Sequence, residues 1–317
     1  MQPADELSLF DSVFLAKLEQ LYLLAKRRFR GDQHAERSSR QIGSSLEFAD
    51  YRTYSLGDDL RSVDWNIYGR LDRLFVKLFE LEQDLHIHFL VDASASMRWL
   101  PEGAGTRKGR VADRQAGARS VTKFDQARRI AASLAYIGLS NLDRVDIHWF
   151  ADGLSGNMGL ARGKSQFHKV VDFLRRAPES AGPTRLLPSL RAFSKMTRRR
   201  GLVFVLSDLF DPCGYEEALA LLHHHQFEIH LIQVFDPAEL DPGLSGDLRL
   251  MEPETGEALE ITAGDAVLHQ YRKEIAAFYD GVSRFAMERG FGYLKASTAL
   301  PFEDLVLRVL REGIMLK

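Results

Sequence analysis

LHIHFLVDASAS, residues Leu85 to Ser96, runs from a β-type stretch, Leu85 to Val91, straight into Asp92, Ala93, Ser94, Ala95 and Ser96. A strand that closes on one carboxylate and two hydroxyls suits an open α/β sheet, which places ligands outside the carboxyl ends of its parallel strands. In a loop, alternate residues of Asp-x-Ser-x-Ser turn three oxygens toward one point. Hard cations such as Mg2+ take oxygen ligands at about 2.0–2.1 Å in octahedral geometry. Three oxygens are too few to cage an ion, so further ligands are expected from elsewhere in the chain.

Outward from this stretch, strands and helices alternate. A helix is expected over Phe124 to Leu139, a strand over Val145 to Phe150, and helices over Gln166 to Arg175 and Leu186 to Thr197. A strand over Leu202 to Leu206, a helix over Tyr215 to His224 and a strand over Phe227 to Phe235 follow. That alternation predicts an α/β fold with a mostly parallel sheet and helices on both faces. LVFVL, Leu202 to Leu206, is apolar throughout, as a strand covered on both sides must be. Two more oxygen donors stand in later loops: Thr184 in the Gly182, Pro183, Thr184 turn, and Asp208 after the Leu202 to Leu206 strand. Parallel strands point the same way, so Asp92 and Asp208 are expected on one rim. Asp and Ser also cap helices. Here the next helix is delayed by a long Gly- and Arg-rich segment, which weakens that account.

Toward the N-terminus, Phe14, Leu18, Leu21 and Leu24 to Ala25 recur at helical spacing before a basic run through Lys26, Arg27, Arg28 and Arg30. Between Leu46 and Glu82 the pattern changes to β-type runs, Glu47 to Tyr54 and Leu74 to Leu81, around a polar turn at Gly57, Asp58 and Asp59. Residues 1–83 are therefore expected to form an N-terminal helix and antiparallel extension, and 84–317 the main domain. Toward the C-terminus, Leu248 to Thr262 reads as a hairpin turning at Glu254, Thr255 and Gly256. A helix over Ala266 to Glu288, a strand over Gly292 to Ala296 and a helix over Phe302 to Glu312 close the chain. Arg98 to Lys123 lacks apolar periodicity and predicts a mobile loop. Its Gly103, Gly105 and Gly109 fit no phosphate-binding spacing.

With 317 residues and 45% hydrophobic content, the chain can fill a sizeable core. Forty-two Lys and Arg against 44 Asp and Glu give a net charge of −2, which offers no global attraction to nucleic acid or anionic membrane. A lone cysteine, Cys213, cannot form an internal disulfide and points to a reducing compartment. The acidic Asp5 and Glu6 do not suit a signal peptide. The longest nearly apolar run, Ile130 to Leu139, is about half the ~20 residues a membrane helix needs. A cytoplasmic protein without membrane insertion is expected.

Other clusters have plainer readings. His223, His224 and His225 are neighbours that point about 100° apart on a helix and do not converge on one ion. His86 and His88 share a strand face and His148 sits on another strand, all expected to be core histidines with satisfied hydrogen bonds. Arg198, Arg199 and Arg200 are expected to close a helix, where cations complement the dipole. Around Gly57 to Trp65, a structural turn is expected, its charges pairing among themselves while Trp65 packs the extension onto the sheet, with a binding surface as the alternative.

The set Asp92, Ser94, Ser96, Thr184 and Asp208 resembles the metal-ion-dependent adhesion site of von Willebrand factor A domains, whose fold is Rossmann-like. That resemblance implies Mg2+, or Mn2+, held by these residues, with an open position for a partner's Asp or Glu. Leu46, Glu47, Phe48, Tyr51, Arg52 and Tyr54, followed by Gly57, Asp58, Asp59, Arg61, Asp64, Trp65 and Arg70, are similar to the bacterial domain-of-unknown-function family fifty-eight. Val76, Lys77, Phe79, Glu80 and the Glu254 to Glu257 turn extend the resemblance. It implies a non-enzymatic adaptor acting with a MoxR-type AAA+ ATPase in chaperone-like maturation of protein complexes. Relatives with membrane helices, and a longer Arg98 to Lys123 stretch here, are departures from the pattern. The alternative is a Mg2+-dependent phosphohydrolase of the haloacid dehalogenase-like type, with Asp92 as phosphoryl acceptor. Those enzymes use Asp-x-Asp, and Ser94 stands here in place of the second carboxylate.

Overall fold

The computed structural model describes residues 9–36, 47–80, 85–99, 121–178, 182–197, 199–251 and 258–311. Most of the Arg98 to Lys123 connection with its three glycines, the Glu254 to Gly256 turn, Arg198 and Glu312 lie outside the described residues. Two compact units emerge: residues 1–25 with 85–316, and residues 26–84 with Lys317.

Helix α1 (Ser12–Glu36) starts where the Asp11 carboxylate accepts the Phe14 N–H at 2.7 Å. Its apolar stripe, Phe14, Leu18 and Leu21, is buried. Phe14 meets Phe302 with ring centroids 4.9 Å apart, and Glu19 accepts from the Tyr136 hydroxyl at 2.8 Å. The first half of α1 therefore packs as part of the larger unit.

In the smaller unit, β1 (Glu47–Thr53) pairs antiparallel with β2 (Phe75–Glu80). Between them lies helix α2 (Trp65–Leu71), which the sequence pattern did not predict. Its seven residues are too few for a periodic apolar stripe to declare itself. Asp64 caps α2 by accepting the Asn66 N–H at 2.9 Å, and it also takes the Tyr51 hydroxyl and pairs with Lys77, each at 3.0 Å. Led by the bond from Lys77, these partners pull its carboxyl down to about 2. Arg52 pairs with Asp58 at 2.8 Å, so charges in this region do pair with one another. Trp65, by contrast, is 59% exposed at the start of α2 and meets Tyr68 edge-on, which corrects the packing role expected for it.

In the larger unit the elements run β3 (His86–Asp92), α3 (Lys123–Ser140), β4 (Arg144–Phe150), β5 (Leu154–Asn157), β6 (Ala161–Arg162) and α4 (Phe167–Arg175). They continue through α5 (Leu186–Met196), β7 (Leu202–Ser207), α6 (Glu216–His224), β8 (Glu228–Phe235) and α7 (Pro237–Leu240). The hairpin β9 (Gly246–Met251) and β10 (Ala258–Ala263), helix α8 (Asp265–Glu288), β11 (Gly292–Ser297) and α9 (Phe302–Arg311) complete it.

A seven-stranded sheet in the order β11-β8-β7-β3-β4-β5, with β6 also on β4, forms the centre. The strands from β11 to β4 run parallel, and β5 and β6 add antiparallel to β4. Every residue of β3 and of β7 is buried, because helices cover both faces. On one face Leu90, Phe150, Val203, Val205, Ile229 and Leu231 pack with Leu190 and Phe193 of α5, Leu219 and Leu222 of α6, and Val282 of α8. On the other, α3 lies against β3 and β4, with α4 and α9 beside it. There Phe124 meets Trp149 at 5.5 Å, and Trp149 stacks on Phe173 at 5.3 Å. The chain is thus a mixed α/β protein around a mostly parallel sheet.

Strands β5 and β6 escape a pattern reading because they are only four and two residues long. Helix α5 ends at Met196, with Thr197 already extended, so Arg199 and Arg200 follow the helix rather than close it. Among the described residues, no helix is long and apolar enough to cross a membrane.

Candidate metal centre

Strand β3 delivers Asp92 to the carboxyl rim of the sheet, where the chain must leave the pleat. Its carboxylate closes the turn that follows, accepting the Ser94 N–H at 2.9 Å on Oδ1. Oδ2 accepts the Ser207 hydroxyl at 2.5 Å, which ties the β3 loop to the end of β7. Beside them the Ser94 and Ser96 hydroxyl oxygens lie 3.1 Å apart. Asp92 and Ser94 are fully buried.

Thr184 is also fully buried, in a loop held from both sides. The Gly182 carbonyl accepts from the Ala95 N–H at 3.4 Å, and the Arg185 N–H donates to the Ala151 carbonyl at 2.8 Å. Ala93 in turn donates to the Phe150 carbonyl at 2.8 Å, so the loops after β3 and β4 and the one before α5 share one edge. Asp208 follows β7 on that edge, with the Phe210 N–H donating to Oδ1 at 3.1 Å. The structure therefore gathers all five sequence-selected residues on one rim.

The loops are tied pairwise. Ala95 binds the Gly182 carbonyl, Ser207 binds Asp92, and the Leu186 N–H donates to Asp211 Oδ2 at 2.6 Å. Ser207 Oγ also accepts the Leu209 N–H at 2.9 Å, supporting a leucine whose φ is +64°.

Two residues of this rim were not found from sequence: Lys123 and Glu239. Lys123, the first residue of α3, is only 2% exposed and donates to Asp208 Oδ2 at 2.7 Å and to Glu239 Oε1. Glu239 is fixed by a capping box at α7, donating partners being the Ala238 N–H to Asp236 and the Asp236 N–H to Glu239. Asp-Pro-Ala-Glu is a legible capping signal, whereas Lys123 carries none. Burial pulls the Lys123 ammonium down, but the Asp208 and Glu239 charges outweigh it and hold the group above its ordinary value. Burial first, with the Asp208 charge adding to it, holds Glu239 above its ordinary value against the pull of Lys123. For Asp92, burial first and the Asp208 charge second push the carboxyl up to about 7, against the hydrogen bonds from Ser207 and Ser94. The rim thus gathers buried carboxylates and hydroxyls beside one buried lysine cation, and the oxygen donors among them suit a hard divalent ion.

A second cluster sits lower in the sheet. The hydrogen bonds expected for its histidines are incomplete: His148 Nδ1 and Asp146 Oδ1 are unmatched, and His88 makes no well-formed bond beyond its approach to the Arg199 backbone. The three exposed histidines at the end of α6 remain at the surface, as their neighbouring positions predicted.

A family model described as "Protein of unknown function DUF58" matches residues 50–279. "Uncharacterized protein Rv1480" of Mycobacterium tuberculosis (strain ATCC 25618 / H37Rv) is 25% identical over 278 residues, spanning 86% of this chain and 81% of that protein. "Uncharacterized protein MAV169" of Mycobacterium avium is 30% identical over 100 residues, 31% of this chain and 58% of that one. Among solved structures, the conserved hypothetical protein BatB from Bacteroides thetaiotaomicron aligns with a TM-score of 0.43 at 12% identity, over 74% of this chain and 100% of that one. An aerotolerance-related membrane protein from Bacteroides fragilis NCTC 9343, with multiple mutations to serines, gives the same TM-score, identity and coverage.

Proposed function

The chain belongs to the DUF58 family of proteins of unknown function, and from that premise we propose that its larger unit is a von Willebrand factor A-like module that uses Mg2+ to bind an acidic partner. The observation that carries this reading is the pair of serine hydroxyls 3.1 Å apart beside Asp92. Adjacent ligands of an octahedral ion with bonds of about 2.0–2.1 Å stand roughly 2.9 Å apart, so the spacing fits. Asp92, Ser94, Ser96, Thr184 and Asp208 would hold the ion, Mg2+ or Mn2+, which when bound supplies an open coordination position for a partner's Asp or Glu.

The chain's own residues do the positioning. Ser207 and the Ser94 N–H aim the Asp92 carboxylate, and Lys123 anchors Asp208. Burial of Asp92, Ser94, Thr184 and Asp208 keeps their oxygens away from bulk water, where an electrostatic contact with a partner is worth more. The role is non-enzymatic: an adaptor for a MoxR-type AAA+ ATPase in the maturation of protein complexes, working in the cytoplasm. The partner class rests on the family resemblance. Phosphoryl transfer is the weaker reading, because Ser94 replaces a needed carboxylate and Lys123 is committed to Asp208 and Glu239.

Capture of the cognate MoxR-type ATPase by the purified chain, with Mg2+ or with EDTA, tests the reading. Asp92→Ala and EDTA should each abolish capture while the circular dichroism of the variant stays native. Capture that survives both would overturn it, as would hydrolysis of a phosphate ester lost in Asp92→Asn.

A further inference from the structure

Parallel pairing of β3 with β4 sets His88 directly opposite Asp146, and His148 two residues further along on the same face. One ligand atom from each of these three side chains can be chosen so that all lie within 4.8 Å of one another. Asp146 Oδ2 is 2.8 Å from His148 Nε2 and 4.0 Å from His88 Nδ1. His88 is 2% exposed, His148 0% and Asp146 8%, and the rings of Phe193 and Phe227 close the cluster from the helix side. Within it, His148 Nδ1 and Asp146 Oδ1 lack a hydrogen-bond partner, and His88 has no well-formed bond beyond its approach to the Arg199 backbone. Buried polar groups are nearly always matched, and here Asp146 Oδ2 is the meeting point of His148 Nε2 and His88 Nδ1 in a cluster that carries further unmatched atoms, which points to a missing cationic partner.

We propose that His88, Asp146 and His148 form a second metal site, selective for Zn2+ and separate from the Asp92 rim. Two imidazoles and one carboxylate are the donor set of a three-ligand zinc site, with the fourth position left for water. Mg2+ prefers oxygen donors throughout and is disfavoured by two nitrogens. Tetrahedral bonds of about 2.0–2.2 Å separate ligand atoms by roughly 3.3–3.5 Å. The 2.8 and 4.0 Å spacings bracket that value and the third pair lies within 4.8 Å, so shifts of at most about 1.5 Å would close the site. Asp92 stands four positions beyond His88 on β3, about 13 Å at strand rise, so the two sites do not share ligands.

The test uses the untagged, chelator-stripped full chain and its Asp92→Asn variant, titrated with Zn2+ and with Co2+ as a visible reporter. Both proteins should bind one equivalent with the intense absorption of tetrahedral cobalt, and Zn2+ should raise the melting temperature. His88→Gln and His148→Gln should each weaken Zn2+ binding by more than the roughly 10- to 100-fold that loss of an outer-shell partner costs. No binding in the stripped protein overturns the proposal. So does binding that persists in His88→Gln, or that disappears instead in His224→Ala, which would assign it to the surface histidines. If the His88 and His148 variants do not fold, zinc-edge X-ray absorption of the Asp92→Asn protein decides: scattering from two imidazoles supports the site, and an oxygen-only or single-imidazole shell overturns it.

Discussion

Asp92 has no solvent exposure and lies within reach of the Asp208 charge, so a proton and a divalent cation compete for its oxygens. A carboxyl raised from 3.8 to about 7 keeps its proton in the native chain after the unfolded chain has lost it, so metal-free protein should lose stability as pH climbs between those values. Urea unfolding across this range should show that loss in the wild type relative to Asp92→Asn, which has no proton to release, and Mg2+ should reduce it. Parallel curves would remove Asp92 as the cause. Lys123→Met should destabilise the chain by about 3–5 kcal/mol, because it strands Asp208 and Glu239 as buried carboxylates without a counter-charge. A loss under about 1 kcal/mol in urea at pH 7 would show that those carboxylates are neutral or solvated. Asp92, Ser94 and Ser96 were legible in the sequence because one strand and its loop carry them, and Thr184 and Asp208 because later loops return to the same edge. Lys123 was not, since its partners lie 85 and 116 residues away and a buried lysine looks like any helix-start lysine in sequence. The unmatched His148 Nδ1 and Asp146 Oδ1 were equally hidden, because a pattern of apolar neighbours reports burial and says nothing about partners.

Elements reveal a different limit. The buried strands β3 and β7 announce themselves through unbroken apolar runs, whereas α2, β5 and β6 are too short for any period to emerge. Close approach of backbones is also invisible in a pattern. A Cβ added at Gly201, just ahead of β7, would stand 2.2 Å from the His86 carbonyl oxygen. Gly201→Ala should therefore force β3 and β7 apart and cost about 1–3 kcal/mol, read as a lowered melting temperature. An unchanged melt would mean that the strand ends separate freely. In α1, Phe14→Ala removes a ring buried against Phe302 and should cost about 3–5 kcal/mol. A cost near zero would show that α1 contributes nothing to the larger unit.

On the scale of the whole chain, residues 26–84 form their own unit, inserted between the first 25 residues and the strand that starts the central sheet. Replacing them with a Gly/Ser linker of about 20 residues, whose typical span is roughly 25 Å, should leave the larger unit with a single cooperative unfolding transition. Loss of cooperativity would mean that the sheet needs the inserted unit to fold. The alternation of strands and helices made the parallel sheet legible, but the way three loops lock together was not, because it depends on side chains far apart in the chain. A triangle with one bond along each side has no free hinge. Anyone transplanting this rim onto another scaffold would have to move the Asp92, Thr184 and Asp208 loops as one block, with Ser207, Asp211 and the Gly182 carbonyl as its mortar.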